Sequence, residues 1–311
     1  MRPFEFMDFS HQVWHPITRM LRKSRLALFF ALAVGLRASV LFASDGVTIA
    51  PKTTGWFRTD FKYMVEGGAP EKIRIPIPFY VIRHPRGIVL FDSGLGVSFL
   101  EQSDAWWPHR LVNHFFPAEF QPKDAAVEQL KAEGIAPEDV TYVVVSHLHY
   151  DHAGGLLDFP KATIVVSRAE WEHANVGRWK ARFRGVMSEQ LSGLSGRVQA
   201  VDYGDGDRFD LFGDGALILL STPGHTPGHQ SLLVMTGSGR KVLLTGDAVW
   251  VRENYQRPAP KSFFIRHLEE DAGPAWASTL KIREFAEKNP DALIIPGHDP
   301  SVWKELPSEI R

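Results

Sequence analysis

Five apolar stretches of this chain run straight into a histidine or an aspartate. VLF leads to Asp92, VVVS to His147, LLSTPG to His225, LLTG to Asp247 and LIIPG to His298. Short apolar runs bounded by turn residues read as buried strands. The loops that follow such strands are where α/β proteins place their chemistry. The pattern therefore points to a fold that gathers several strand ends at one edge. Strand signals elsewhere (VTIAPKTTGWF, IRIPIPFYVIRH, KATIVVS) alternate with helical ones (KDAAVEQLKAEG, stopped by Gly134; RAEWEHANVGRWKARFRG; GPAWASTLKIREFAEKN). This interleaving predicts an α/β class, with β dominating the first part. Residues 208–221 and 229–236 read as two more strands around TPGHTPG. Residues 100–122, with paired tryptophans and phenylalanines, read as an irregular aromatic loop.

The densest strand ending is HLHYDH, where His147, His149, Asp151 and His152 offer four metal-capable side chains within six residues. In an extended backbone His147 and His149 point the same way and Asp151 continues the alternation. His152, adjacent to it, points elsewhere, where it is available to a second ion. Gly154 and Gly155 let the chain turn sharply after the cluster. One short loop does not enclose an ion alone, so partners are expected at His225, Asp247 and His298. The chain has no cysteine, which removes disulfides, thiolate sites, iron–sulfur clusters and a Cys nucleophile. Any metal site must use nitrogen and oxygen, and 13 histidines are available for it. Lys plus Arg (35) balances Asp plus Glu (36), so nothing suggests a nucleic-acid partner, which a basic surplus would mark.

Residues 1–45 differ from the rest, with six Lys/Arg against three acidic residues. Arg22, Lys23 and Arg25 precede an apolar run from Leu26 to Leu36. That run is too short to span a bilayer, which takes ~20 residues, but it suits a signal-peptide core with cleavage near Ala43. The expectation is an exported protein without an integral membrane span. Residues 1–45 then form a targeting segment and residues 46–311 the catalytic domain, with Met20 as an alternative start. The alternative is a cytoplasmic protein with this segment packed on the domain.

Taken in order, VLFDSG, HxHxDH, TPGHTPGH, TGD and PGH resemble the motifs of the metallo-β-lactamase superfamily, across residues 47–300. The resemblance implies an αββα sandwich: two mixed β-sheets face to face, helices outside, and a dinuclear metal site at one sheet edge. It implies that His147, His149 and His225 hold one ion, that Asp151, His152 and His298 hold the other, and that Asp247 bridges them. Asp92 is then expected to orient ligand histidines. Zinc suits imidazole and carboxylate donors, and iron or manganese tolerates them. Two such ions sharing a water lower its pKa toward ~7 for attack on a carbonyl or phosphoryl centre. Asp151 is the expected proton shuttle, so Asp151 and Asp247 carry the catalysis.

Within the superfamily the chain looks most like the N-acyl homoserine lactonases, through TPGHTPGHQSLLV, the GDA motif and the early FYVI and DSG. Those enzymes place a tyrosine three residues after the bridging aspartate, where this chain has Trp250. An indole N–H donates a hydrogen bond but does not usefully titrate. Tyr150 and Tyr255 are the candidate substitutes. An acyl chain calls for apolar walls, expected from Trp106, Trp107, Phe115, Phe116 and Trp250, with Tyr255 nearby. The alternative is an aryl-ester or phosphotriester hydrolase of the same superfamily. Glyoxalase-II-type thioesterases add a C-terminal helical segment, and only 13 residues follow His298. Flavodiiron members replace the second histidine of the cluster, whereas His149 is intact. The expected partner is a small-molecule substrate, and a homodimer is left open.

Overall fold

The computed structural model describes residues 46–102, 112–204, 206–257, 259–266 and 271–311. The expected targeting segment, Trp106 and Trp107 lie outside the described residues.

Twelve strands form two sheets among these residues. The first sheet is built from β1 (Thr48–Asp60), β2 (Lys72–His84), β3 (Gly87–Phe91), β4 (Ala118–Glu119), β5 (Val140–Val144), β6 (Thr163–Ser167) and β7 (Val198–Val201), in the order β4-β1-β2-β3-β5-β6-β7. Strands β3, β5, β6 and β7 run parallel, and the remaining pairs are antiparallel. The second sheet holds β8 (Arg208–Asp210), β9 (Leu217–Ser221), β10 (Gln230–Met235), β11 (Lys241–Leu244) and β12 (Leu293–Ile295), in the order β12-β11-β10-β9-β8. Only β11 and β12 pair in parallel there.

Alternation along each strand sorts its residues into layers. Phe91, Val144 and Val165 of the first sheet share a buried core with Leu232, Val234 and Leu244 of the second, so the two sheets face each other. Their alternate neighbours Leu90, Val143 and Ile164 turn the other way, onto Ala126, Val127 and Leu130 of the helix Ala126–Ala132. Leu243 and Ile294 of the second sheet pack on Ile282 and Phe285 of the helix Ala272–Lys288. The order helix, sheet, sheet, helix is the αββα sandwich. Burial on both faces explains why the parallel strands read as unbroken apolar runs. Each fully buried Val, Leu or Ile contributes about 1.5–3 kcal/mol, so the strand ends are anchored by far more than their loops supply.

Three local expectations change. Residues 208–221 form two strands rather than one, because Asp210 accepts backbone N–H bonds from Phe212, Gly213 and Gly215 and folds a turn between β8 and β9. The segment read as a helix from Arg168 is two, Arg168–Ala174 and Arg178–Phe183, separated at Asn175–Gly177. In the expected loop 100–122, the described parts hold helical turns and the short β4. No helix among the described residues is long and apolar enough to cross a membrane.

Candidate metal centre

Asp92 follows β3 directly and has a φ of 59°, in the left-handed region. Its N–H donates to the carbonyl of Val144 at the end of β5 (2.8 Å), which ties the two strand ends together. Its carboxylate accepts from the N–H of Ser146 (2.6 Å) and the hydroxyl of Ser146 (2.9 Å), and pairs with Nδ1 of His152 (2.8 Å). Nδ1 of His147 lies 3.0 Å from the same hydroxyl. If both histidines carry their proton on Nδ1, the chain of donors ends on one carboxylate and each Nε2 lone pair is free to act as a ligand. Asp92 is fully buried, and burial raises its pKa against the lowering pull of His152 and the Ser146 bonds. It therefore touches His152 directly and His147 through Ser146.

The loop after β5 carries His147, His149, Asp151 and His152, the last two inside the helical turn Tyr150–Ala153. Glu170, wholly buried, accepts from the N–H of Leu148 (2.9 Å) and of Gly228 (3.2 Å), which ties this loop to the one bearing His225. Nε2 of His225 lies 3.1 Å from Nδ1 of His149. Asp247 follows β11 and His298 follows β12. Nδ1 of His298 bonds the carbonyl of Pro76 (2.8 Å), so its Nε2 is turned toward Asp247. Gly246, at a φ of 52°, makes the turn that β11 needs before Asp247; a Cβ there would stand 2.8 Å from Nε2 of His229.

The carboxylate of Asp247 sits between two groups of donors. Its Oδ2 is 3.2 Å from Nε2 of His225, while its Oδ1 is 3.3 Å from Nε2 of His152 and 3.2 Å from Nε2 of His298. Asp151 Oδ2 lies 3.5 Å from His152 Nε2 and 3.8 Å from His298 Nε2. Ligand atoms of His147, His149 and His225 lie within 4.8 Å of one another, as do those of His147, His152 and Asp247, and those of Asp151, His152 and His298. The structure thus brings all seven sequence-expected donors together.

These donors suit metal ions on three grounds. Nε2 of His147, Nε2 of His152 and Oδ1 of Asp247 are buried without a hydrogen-bond partner, an arrangement that costs free energy unless something else binds there. Burial, reinforced by neighbouring histidines, holds His147 well below the ordinary imidazole pKa, and burial with the Lys261 charge does the same for His225. Burial also lowers His149. Neutral imidazole is the form that ligates. Burial would likewise lower His152 and raise Asp247, but neighbouring charge wins: Asp247, with Asp151 and Asp92, holds His152 well above its usual value, and His298, with His152 and His225, holds Asp247 well below. A bound cation would take the place of the proton that His152 holds against these carboxylates.

A cavity of about 190 Å³ opens onto this cluster. Its floor is His149, Asp151, His225, Asp247 and His298, and Phe57, Ile75, Val112, Phe116, Trp250 and Ile265 supply apolar walls. Phe183, 63% exposed, and Arg184 also line it. Of the expected wall residues, Phe116 and Trp250 face the cavity. Phe115 does not: its ring packs on Tyr63 (5.8 Å) and Phe264 (5.1 Å). Tyr255 lies in a separate depression with Arg252, Gln256 and Arg283. Tyr150 does line the cavity, its ring stacked on Phe99 at 5.5 Å. Trp250 donates its indole N–H to Asp247 Oδ2 at 2.8 Å.

Sequence reasoning missed two residues at the centre. His229, the second histidine of TPGHTPGH, accepts the N–H of Asp247 on Nε2 (2.9 Å) and bonds Thr222 through Nδ1. The repeated PGH was a signal that could have found it. Lys261, 5% exposed, donates to the Asp247 carbonyl at 2.7 Å. Nothing in its sequence surroundings marks it.

Comparison with known proteins agrees with this geometry. The sequence profile described as metallo-beta-lactamase superfamily matches residues 74–298. The chain is 35% identical over 229 residues to an N-acyl homoserine lactonase AttM of Rhizobium radiobacter, covering 74% of this chain and 84% of that protein. It is 31% identical to an N-acyl homoserine lactonase of a Bacillus species, over 74% of this chain and 83% of the other. Among solved structures it superposes on an N-acyl homoserine lactone hydrolase holding its product N-hexanoyl-L-homoserine at the catalytic metal centre. The TM-score is 0.69 and the identity 27%, over 84% of this chain and 96% of the other. The dizinc quorum-quenching lactonase AidC shares the fold at a TM-score of 0.60 and 19% identity, over 82% and 88% of the two chains.

Proposed function

The chain belongs to the metallo-β-lactamase superfamily, and from that premise we propose that it is a dinuclear metal-dependent hydrolase that opens the ring of N-acyl homoserine lactones. The observation that carries this is the Asp247 carboxylate, one oxygen toward His225 and the other toward His152 and His298, beneath an apolar cavity. The relatives named for lactone hydrolysis support it. His147, His149 and His225 would hold one ion, and Asp151, His152 and His298 the other, with Asp247 between them. Zinc is the proposed metal, from the donor chemistry and the dizinc neighbour. Such ions, when bound, acidify water and polarise a carbonyl oxygen.

The chain's own residues do the rest. The apolar walls take the acyl chain out of water and leave the lactone over Asp151 and Asp247. Asp151 takes the proton shed by the water that adds to the lactone carbonyl carbon. It returns that proton to the ring oxygen as the C–O bond breaks, which leaves a hydroxyl and a carboxylic acid that then gives up its own proton to solvent. The cavity wall rewards each added methylene by ~0.8 kcal/mol, so kcat/KM should rise up to ~4-fold per carbon until the cavity is filled.

A panel of butanoyl to dodecanoyl homoserine lactones, aryl esters and a phosphotriester, assayed with metal content, tests the reading. Rates that ignore acyl length, or that are highest on the phosphotriester, would refute it. One observation favours that second reading, aryl-ester or phosphotriester hydrolysis: the one Trp250 N–H is committed to Asp247, so position 250 offers no donor to a lactone carbonyl. For residues 1–45 we propose an export signal. Mass spectrometry of the secreted protein should find a new N-terminus near Ser44; an unprocessed cytoplasmic chain would overturn this.

A further inference from the structure

Four hydrogen-bonding groups of Asp247 meet four different fates. Its N–H donates to His229 Nε2 at 2.9 Å, its carbonyl accepts from Lys261 Nζ at 2.7 Å, and Oδ2 accepts from Trp250 Nε1 at 2.8 Å. Oδ1 is buried and has no hydrogen-bond partner. The Lys261 ammonium also stands 4.8 Å from the centroid of the Trp250 ring, where the face of the indole attracts a cation. Lys261 thus touches both the backbone of Asp247 and the side chain that grips its carboxylate. The loop that supplies Trp250 is itself tied down, because Asn254 Oδ1 accepts the N–H groups of Trp250 and Val251, each at 3.0 Å.

We propose that Trp250 and Lys261 are positioning residues that clamp Asp247 before any ion arrives, aiming its carboxylate between the two donor groups. The inference rests on the dinuclear reading above and goes beyond it, by giving position 250 a ligand to hold rather than a substrate to polarise. An indole has one N–H, and here it is spent on Oδ2. A carboxylate fixed in advance loses no rotational freedom on binding, and partners that orient a ligand typically carry 10–100-fold in metal affinity. Lys261 contributes through two contacts. It fixes the peptide from which Asp247 projects, and its ammonium stands over the indole ring, 4.8 Å from the centroid, while the in-plane N–H grips the carboxylate.

The test uses the full chain with Trp250→Phe, which keeps the ring and deletes the N–H, and Lys261→Met, which keeps the stem and deletes the charge. Zinc affinity is read by chelator competition without substrate, and geometry by the absorption bands of the cobalt-loaded protein. Each single variant should raise the dissociation constant of at least one ion about tenfold or more and shift the cobalt bands. The double variant should fall short of the product of the singles, since both act through one carboxylate. On hexanoyl homoserine lactone kcat should fall while KM stays within about twofold, as expected for loss of an interaction made away from the bound ground state. Unchanged dissociation constants and cobalt bands in Trp250→Phe would overturn the clamp, and that variant decides if Lys261→Met fails to fold. A raised KM with unchanged metal affinity would also overturn it, by assigning the indole to the substrate. Wild-type protein that binds fewer than two ions would overturn the dinuclear reading, and the clamp with it.

Discussion

Asp92 is the one non-glycine residue with positive φ among the described residues, and its carboxylate serves both hydroxyl and backbone of Ser146 as well as His152. Asparagine also tolerates the left-handed region, so Asp92→Asn removes the charge without new backbone strain. An amide cannot accept from all three donors at once. Metal-free Asp92→Asn should lose about 1.5–3 kcal/mol in urea unfolding, and metal affinity should drop roughly 10–100-fold. Wild-type values for both would show that Asp92 orients nothing. His229 makes a pH prediction. Burial, only partly offset by Asp247, pushes its pKa down to about 3, below the ordinary value near 6.5. Between those two values the unfolded chain binds a proton that the folded chain refuses, so stability falls as pH drops through that window. The loss between pH 7 and pH 4 in metal-free protein should be smaller for His229→Gln than for wild type. An equal loss would mean that His229 titrates normally in the fold.

At the scale of elements, the site is a set of loops that leave their strands at fixed points, and small residues set how closely those loops meet. A Cβ at Gly297, after β12, would stand 2.7 Å from Asp247 Oδ1 and 2.7 Å from the carbonyl of Gly246. The second of these is backbone and cannot swing aside. Gly297→Ala should therefore keep its far-ultraviolet circular dichroism while losing at least one bound ion, measured by elemental analysis; full metal content would show that the loops have room. The strand endings were legible because burial on both faces writes an uninterrupted apolar run, and the chemistry follows the run. The β8–β9 turn was not legible, since it depends on the Asp210 side chain reaching three N–H groups ahead. Phe115 and Phe116 are adjacent and equally apolar, yet only Phe116 faces the cavity, because composition carries no phase. Lys261 was invisible for a related reason: a lysine reads as solvated until a loop encloses it.

Across the whole molecule, each sheet is one continuous part of the chain, β1 to β7 and then β8 to β12. The donors divide the same way: His147, His149, Asp151 and His152 follow a strand of the first sheet, and His225, Asp247 and His298 follow strands of the second. Each of the three donor groups draws on both sheets. Ion binding should therefore stabilise the sandwich as a unit, by about 2.7 kcal/mol per site at a free concentration 100 times Kd. Chelation should lower Tm in calorimetry while leaving a cooperative transition, and restored zinc should recover it; a Tm indifferent to chelation would mean that the ions bind without joining the sheets. The halves are already laced without metal, since Gln230 of β10 bonds the carbonyl of Val145 through its side chain and that of Ser146 through its N–H. Mechanically this is a lap joint with rivets at one end. A force that slides one sheet over the other loads the imidazole and carboxylate bonds in shear, while a force that peels the sheets from the opposite end meets apolar contacts and a few polar ties, such as Arg86 to the Phe212 carbonyl and His84 to Asp214, that yield one after another.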